Sequence, residues 1–174
     1  MIMEIKDNFL NQEDFIKLQT FMMGSECSWY FNPYIIQDIN PKNKEFQFGH
    51  IFYIKDFPHS PKMDRMFSLM NTINPVSIFR IKANLRTRSD GEFLKSAFHI
   101  DMGELSKNSP EKLKQWTTGI FYINTNNGYT EFEDGTKVES IANRLLSFPA
   151  DVRHRGTSCS DEQTRVVINL NYFK

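Results

Sequence analysis

Long apolar runs are missing from this chain of 174 residues. No stretch approaches the roughly 20 apolar residues of a membrane-spanning helix, so no membrane partner is expected. Net charge is missing too: Lys and Arg together number 21, and so do Asp and Glu. That balance supplies no global field for nucleic acid or a membrane surface. Cysteine is scarce. Cys27 and Cys159 stand far apart and form no metal-binding or redox spacing, although they could still meet in space. A reduced, cytoplasmic setting is the expectation. The opening MIMEIKDNFL carries acids where a signal peptide would be basic. Internal repeats, low-complexity stretches and linkers are also lacking, so residues 1–174 are expected to form one domain. What abounds is aromatic. Sixteen Phe within an aromatic content of 14% favour β structure and a packed interior.

The first 75 residues read as helix-rich support with some strand. Asn11 can cap a helix whose apolar positions are Phe15, Leu18, Phe21 and Met22, with Gly24 ending it. Strands are expected near Trp29–Phe31 and His50–Ile54. A second helix should start at Ser60 and Pro61, burying Met63, Met66, Phe67 and Met70 on one face. From Ser77 onward the pattern alternates. Phe79, Ile81, Ala83 and Leu85 interleave with Arg80, Lys82 and Asn84, so an apolar and a polar face are expected. FHID, WTTGIFYIN, TEFE, TKVES, NRLLSFP and TRVVINLNYF are further strands, with Asp134-Gly135 as a hairpin turn. Residues 124–129 (NTNNGY) read as a turn, and 102–115 as a loop or short helix. Helices first and strands after suggest a helix-supported β-sandwich or barrel over 76–174.

One spacing carries chemistry: His99-x-Asp101, then a lone His154, then Arg165. Two imidazoles and one carboxylate are the ligand set of an open facial iron(II) site. His-x-Asp alone is weak, because such pairs arise often by chance. A strand through FHID would aim His99 and Asp101 the same way. The last strand would put Arg165, Val167 and Asn169 on one face. An arginine there suits a carboxylate partner, because its planar fork binds carboxylates bidentately. His50 and His59 are not needed as ligands. Trp116 is expected in core or rim, and Arg153 and Arg155 should point away from the metal, or toward a substrate loop if the backbone is irregular there. Asn124 and Asn127 are expected to shape a turn.

From Arg80 to the C-terminus the phrases RIKANL, FHID, TTGIFYINTNNGYTEFEDGTKVES, ANRLLSFPADVRH and RVVINLNYF occur in order. They resemble the iron(II)- and 2-oxoglutarate-dependent dioxygenases, above all small members encoded by tailed phages, cyanophages included. The chain is more distantly similar to prolyl 4-hydroxylases, with Thr118 and Tyr122 on the strand before the hairpin. The resemblance implies a double-stranded β-helix, or jelly roll, with N-terminal helices packed on one sheet. It implies that His99, Asp101 and His154 hold iron(II), and that Arg165 and Tyr122 hold the far carboxylate of 2-oxoglutarate. Oxygen would be the second cosubstrate and ascorbate a reductant, in a cytoplasm that is a host's if the source is a phage. Many relatives carry a serine two residues after that arginine; Val167 stands there instead, so a second donor must come from elsewhere, with Tyr122 the leading candidate. The intact Asp101 favours hydroxylation over halogenation. Arg80, Lys82 and Asn84 could line the mouth of the site and grip a polar or anionic substrate, a peptidyl residue or small molecule. A nucleic-acid substrate is not expected. Two other readings stand beside this one: a non-catalytic jelly-roll module that binds a metal or ligand, and a cupin-like metalloenzyme that uses no 2-oxo acid.

Overall fold

The structure is a computed structural model that describes residues 3–35 and 45–174. Its framework is an antiparallel sheet of eight strands. These are β1 (Glu4–Lys6), β2 (Tyr30–Asn32), β3 (Gln47–Ile54), β4 (Phe57–Pro58), β5 (Ser77–Thr87), β6 (Thr117–Tyr122), β9 (Arg144–Pro149) and β11 (Thr164–Phe173). Their order is β1-β9-β6-β11-β5-β3-β2, with β4 beside β3. A smaller sheet of β10 (His154–Gly156), β7 (Asn126–Phe132) and β8 (Lys137–Ser140) makes the second layer, ordered β10-β7-β8. This is the expected mainly-β jelly roll with supporting helices. The N-terminal third gives four strands to the large sheet as well as its helices.

Helix α1 (Gln12–Met23) forms where its caps and apolar spacing predict. The Asn11 side chain accepts from the Asp14 N–H at 3.0 Å, and Glu13 and Asp14 fill the first turn, where the helix dipole favours acids. Its apolar stripe of Phe15, Leu18, Phe21 and Met22 is buried. Gly24 ends it in extended conformation, and a Cβ there would sit 2.6 Å from the Thr20 carbonyl oxygen. A 3-10 turn (Met63–Met66) runs into α2 (Phe67–Ile73), which buries Leu69 and Met70. Phe67 does not join them; it is 56% exposed, because the tight 3-10 turn changes the angular spacing before the helix begins.

Both helices cover one face of the large sheet. Ile81 and Ala83 of β5 meet Val166, Ile168, Leu170 and Tyr172 of β11 there, in one core with α1 and α2. Each such aliphatic side chain contributes about 1.5–3 kcal/mol when fully buried. Phe79 leaves this face. The register of β5 on β11 shifts between Asn171 and Tyr172, so Ile78 takes the helix-facing place and Phe79 packs against Trp116. The opposite face carries Arg80, Lys82, Asn84 and Arg86 on β5 and Arg165, Val167 and Asn169 on β11. Ile120, Tyr122, Phe132, Leu146, Phe148 and Val167 fill the space between the two sheets beside it.

Two further local expectations change. FHID is not a strand; only His99 pairs, through a single bridge to His154. Residues 126–129 belong to β7. The Asn-Asn-Gly run lies where the β7–β8 register shifts, and the Asn126 side chain accepts from the Gly128 N–H. The Asp134-Gly135 turn does form, with Gly135 at φ 86°. Cys27 and Cys159 are buried and free. No helix among the described residues is long and apolar enough to cross a membrane.

Candidate functional site

His99 and His154 are held as a direct cross-strand pair. Each backbone N–H donates to the other's carbonyl, at 2.9 and 3.0 Å, and the two rings stand 4.8 Å apart between centroids. Asp101 follows two residues on, in the turn before α3 (Gly103–Asn108). The ligand atoms of His99, Asp101 and His154 all lie within 4.8 Å of one another. The second nitrogens orient the rings. His99 Nδ1 faces the Ala97 carbonyl at 3.1 Å, and His154 Nδ1 faces that of Val152 at 3.3 Å. Each carbonyl fixes a proton on Nδ1 and leaves Nε2 as a lone-pair donor.

His154 Nε2 is buried and has no hydrogen-bond partner among the described residues. A buried polar atom without a partner costs free energy, so an external partner fits here. Burial, with His99 and Arg80 adding to it, pushes the His154 imidazole down to about 4, against the pull of Asp101. The ring is therefore neutral near pH 7, the form a metal needs. Burial opposes ionisation of Asp101, yet Arg80, His99 and His154 hold its carboxyl well below the usual range. Arg80 contacts Asp101 Oδ1 at 3.0 Å, and Asn171 Nδ2 approaches Oδ2 at 3.4 Å while donating to Thr118 Oγ1 at 3.1 Å. Two imidazoles and one ionised carboxylate suit a divalent transition metal.

A cavity of about 420 Å³ connects this triad to Arg165. Arg165 is 3% exposed. Its Nε donates to Ser140 Oγ at 2.7 Å, one terminal nitrogen donates to Thr130 Oγ1 at 3.3 Å, and its carbon lies 5.6 Å from the centre of the Tyr122 ring. Among the described residues no carboxylate lies within ion-pair distance of it. Two glycines make room for it. A Cβ on Gly128 would stand 2.7 Å from Arg165 Cδ, and one on Gly156 would stand 3.4 Å from a terminal nitrogen. Arg86, its neighbour across the β5–β11 pairing, donates to the Gly156 carbonyl at 3.0 Å and faces Glu45 at 3.8 Å. Burial, and Arg165 beside it, push the Arg86 guanidinium down to about 10.

Tyr122 is fully buried, and its hydroxyl donates to Thr130 Oγ1 at 2.8 Å. Thr130 therefore accepts from both Tyr122 and Arg165, so its own proton is free to point into the cavity that it lines. Sequence reasoning missed Thr130, Ser140, Gly128 and Asn171. The period-two pattern of β7 already put Thr130 on the inward face with Phe132; the fold of β7 over β11 supplies the rest. Arg80, Lys82 and Asn84 line the cavity wall. His50 lies elsewhere, between the Ser28 carbonyl and Ser60 Oγ, and His59 is exposed. Arg153 and Arg155 turn outward to Glu133 and Glu131.

No protein-family model matches this chain, and no curated protein matches it by sequence. Solved structures match it by shape. A prolyl hydroxylase from Trichoplax adhaerens, solved with a hypoxia inducible factor peptide, has a TM-score of 0.62 at 15% identity, over 98% of this chain and 83% of its own. A Pseudomonas putida prolyl-4-hydroxylase has a TM-score of 0.62 at 15% identity, over 99% and 92%. The epimerase SnoN from nogalamycin biosynthesis, solved with Fe3+, alpha ketoglutarate and nogalamycin RO, has a TM-score of 0.65 at 9% identity, over 99% and 78%. At these identities the likeness defines the fold: the chain has the jelly-roll architecture of the 2OG-Fe(II) oxygenases.

Proposed function

We propose that this chain is an iron(II)- and 2-oxoglutarate-dependent dioxygenase that hydroxylates a peptidyl residue or small molecule and releases succinate and CO2. The observation that carries the reading is Arg165: a buried guanidinium with no acidic partner among the described residues, facing a His-Asp-His cluster across one cavity. A buried charge without a counter-charge is costly, and a carboxylate from outside would answer it. On this reading His99, Asp101 and His154 hold iron(II), which when bound couples oxidation of the 2-oxo acid to oxygen activation. Arg165 takes the far carboxylate of 2-oxoglutarate through its free N–H groups. Thr130 donates the second hydrogen bond, the role Val167 cannot fill. Tyr122 fixes Thr130 by donating to it and lies under the guanidinium, so its part in cosubstrate binding runs through those two groups. The apolar side chains of Ile120 and Val167 keep the middle of the cavity free of competing donors.

Oxygen balance is simple: one atom of O2 enters succinate and the other enters the substrate, with ascorbate keeping the iron reduced. The chain works in a cytoplasm, a host's if it is phage-encoded. Protein supplied with iron(II), ascorbate, oxygen and 2-oxoglutarate is expected to form succinate slowly, even with no primary substrate. Metal-loaded protein that neither binds nor turns over 2-oxoglutarate overturns the proposal. Metal-dependent activity that ignores Arg165 would favour a cupin-like enzyme using no 2-oxo acid.

A further inference from the structure

The cavity holds more positive charge than the proposed reaction uses. Its lining includes the cations Arg80, Lys82, Arg86 and Arg165, and among the described residues one acid, Asp101, which belongs to the triad. With iron(II) and 2-oxoglutarate in place, the metal, Asp101, the two cosubstrate carboxylates and Arg165 cancel. Glu45 answers Arg86. Arg80 and Lys82 are left over.

Lys82 is the less satisfied of the two. It is half-buried and forms no hydrogen bond or ion pair among the described residues. Burial and the neighbouring Arg80 push its ammonium down from the usual lysine range, with only Asp101 pulling the other way. An ammonium drawn this far out of water normally finds a partner. The fold instead makes space for it. Lys82 sits between Ile51 of β3 and Asn169 of β11 in the sheet register, and Gly49 leaves its chain room: a Cβ there would stand 3.1 Å from Lys82 Cε. Around it the cavity wall carries further unanswered polar atoms. Among the described residues Arg80 Nε is a buried donor without an acceptor, and the amide oxygens of Asn84 and Asn169 are acceptors without a donor, open to N–H or O–H groups of a substrate. The two cations lie on the same face of β5, beside the triad and away from the end of the strand that meets Arg165.

We propose, resting on the dioxygenase reading, that the primary substrate carries an oxyanion, a carboxylate or phosphate, which Lys82 and Arg80 bind on the β5 wall. The cavity of about 420 Å³ sits toward the small end of ligand pockets, which run from about 300 to 1,000 Å³, and must also hold 2-oxoglutarate, so the space left suits a small acid or a single acidic side chain. Lys82 is the group that discriminates, since Arg80 also serves Asp101.

The test uses the full chain loaded with iron(II) under argon and saturated with 2-oxoglutarate, so that Arg165 is already occupied. Methyl phosphate and N-acetylglycine are titrated by calorimetry, with N-acetylglycinamide as the neutral control. At least one anion is expected to bind and the amide is not; which anion binds separates a phosphate from a carboxylate source. Lys82→Met is expected to weaken that binding at least about thirtyfold, the loss that follows removal of one partner of a buried charge pair. Lys82→Arg should restore most of it, and both variants should bind 2-oxoglutarate as the parent does. Binding of neither anion, equal binding of the amide, or unweakened binding by Lys82→Met overturns the inference. The 2-oxoglutarate titration on the same samples reports separately on the dioxygenase reading; its failure removes that reading and the inference with it.

Discussion

Replacing Arg165 by methionine should leave the stability of the ligand-free protein little changed and cut its affinity for 2-oxoglutarate sharply. In the ligand-free protein the guanidinium is buried, holds hydrogen bonds to Ser140 and Thr130, and faces no acid among the described residues. Exchanging buried ionic groups for apolar ones of similar volume commonly stabilises by about 1–4 kcal/mol. Losing the two hydrogen bonds offsets about 1 kcal/mol each. The net expectation for Arg165→Met without ligand lies between a loss of about 1 kcal/mol and a gain of about 2 kcal/mol, read from urea unfolding of the metal-free protein. The affinity for 2-oxoglutarate should fall. Removing one partner of a buried charge pair costs about 2–5 kcal/mol, which is about 30-fold to several thousandfold in Kd. Calorimetry on the iron(II)-loaded protein under argon measures it. A variant that loses more than about 2 kcal/mol of stability and still binds 2-oxoglutarate like the parent refutes the reasoning, because Arg165 would then be a structural strut.

Thr130→Val keeps the volume but leaves the buried Tyr122 hydroxyl without its acceptor, so a loss of about 1–3 kcal/mol is expected in thermal or urea melts, together with weaker 2-oxoglutarate binding. Gly128→Ala places a methyl 2.7 Å from Arg165 Cδ and 2.6 Å from the Ser158 carbonyl oxygen. Overpacking of about 1–3 kcal/mol and a displaced guanidinium should follow, seen as a lower melting temperature and a raised Kd for 2-oxoglutarate. Acid should weaken the metal-free fold. The folded His154 imidazole titrates at about 4 against an ordinary value of 6.5, so between those pH values the unfolded chain binds the extra proton. Stability is thus full above about pH 6.5 and falls by roughly 3 kcal/mol as pH drops to 4, a slope that His154→Gln should flatten in urea melts.

The strands that build the floor of the site were legible because their two faces differ in chemistry. Along β11, Val166, Ile168 and Leu170 alternate with Arg165, Val167 and Asn169, and the structure covers the first set with helices and opens the second to the cavity. The Asn11 cap and the Asp134-Gly135 turn were equally local signals. What escaped depends on contacts between distant segments. His99 and Asp101 come together through a turn and a single bridge to His154, not through the strand that the period-two argument assumed. The Asn-Asn-Gly run reads as a turn by composition, yet its side chains serve a register shift inside β7. Phe79 breaks the alternation for the same kind of reason, a shift against β11. Thr130, Ser140 and Gly128 matter only once the small sheet lies over Arg165, a placement no local pattern records.

Oxygen chemistry coupled to a 2-oxo acid leaves a mark in its product: succinate formed under 18O2 takes up one atom from the gas, which mass spectrometry reads. Iron(II)-loaded protein given 2-oxoglutarate and ascorbate should yield succinate that carries one atom of 18O, and the His99→Ala protein should yield none. Absence of succinate from protein shown to hold its metal, or succinate formed without label from O2, would contradict the account.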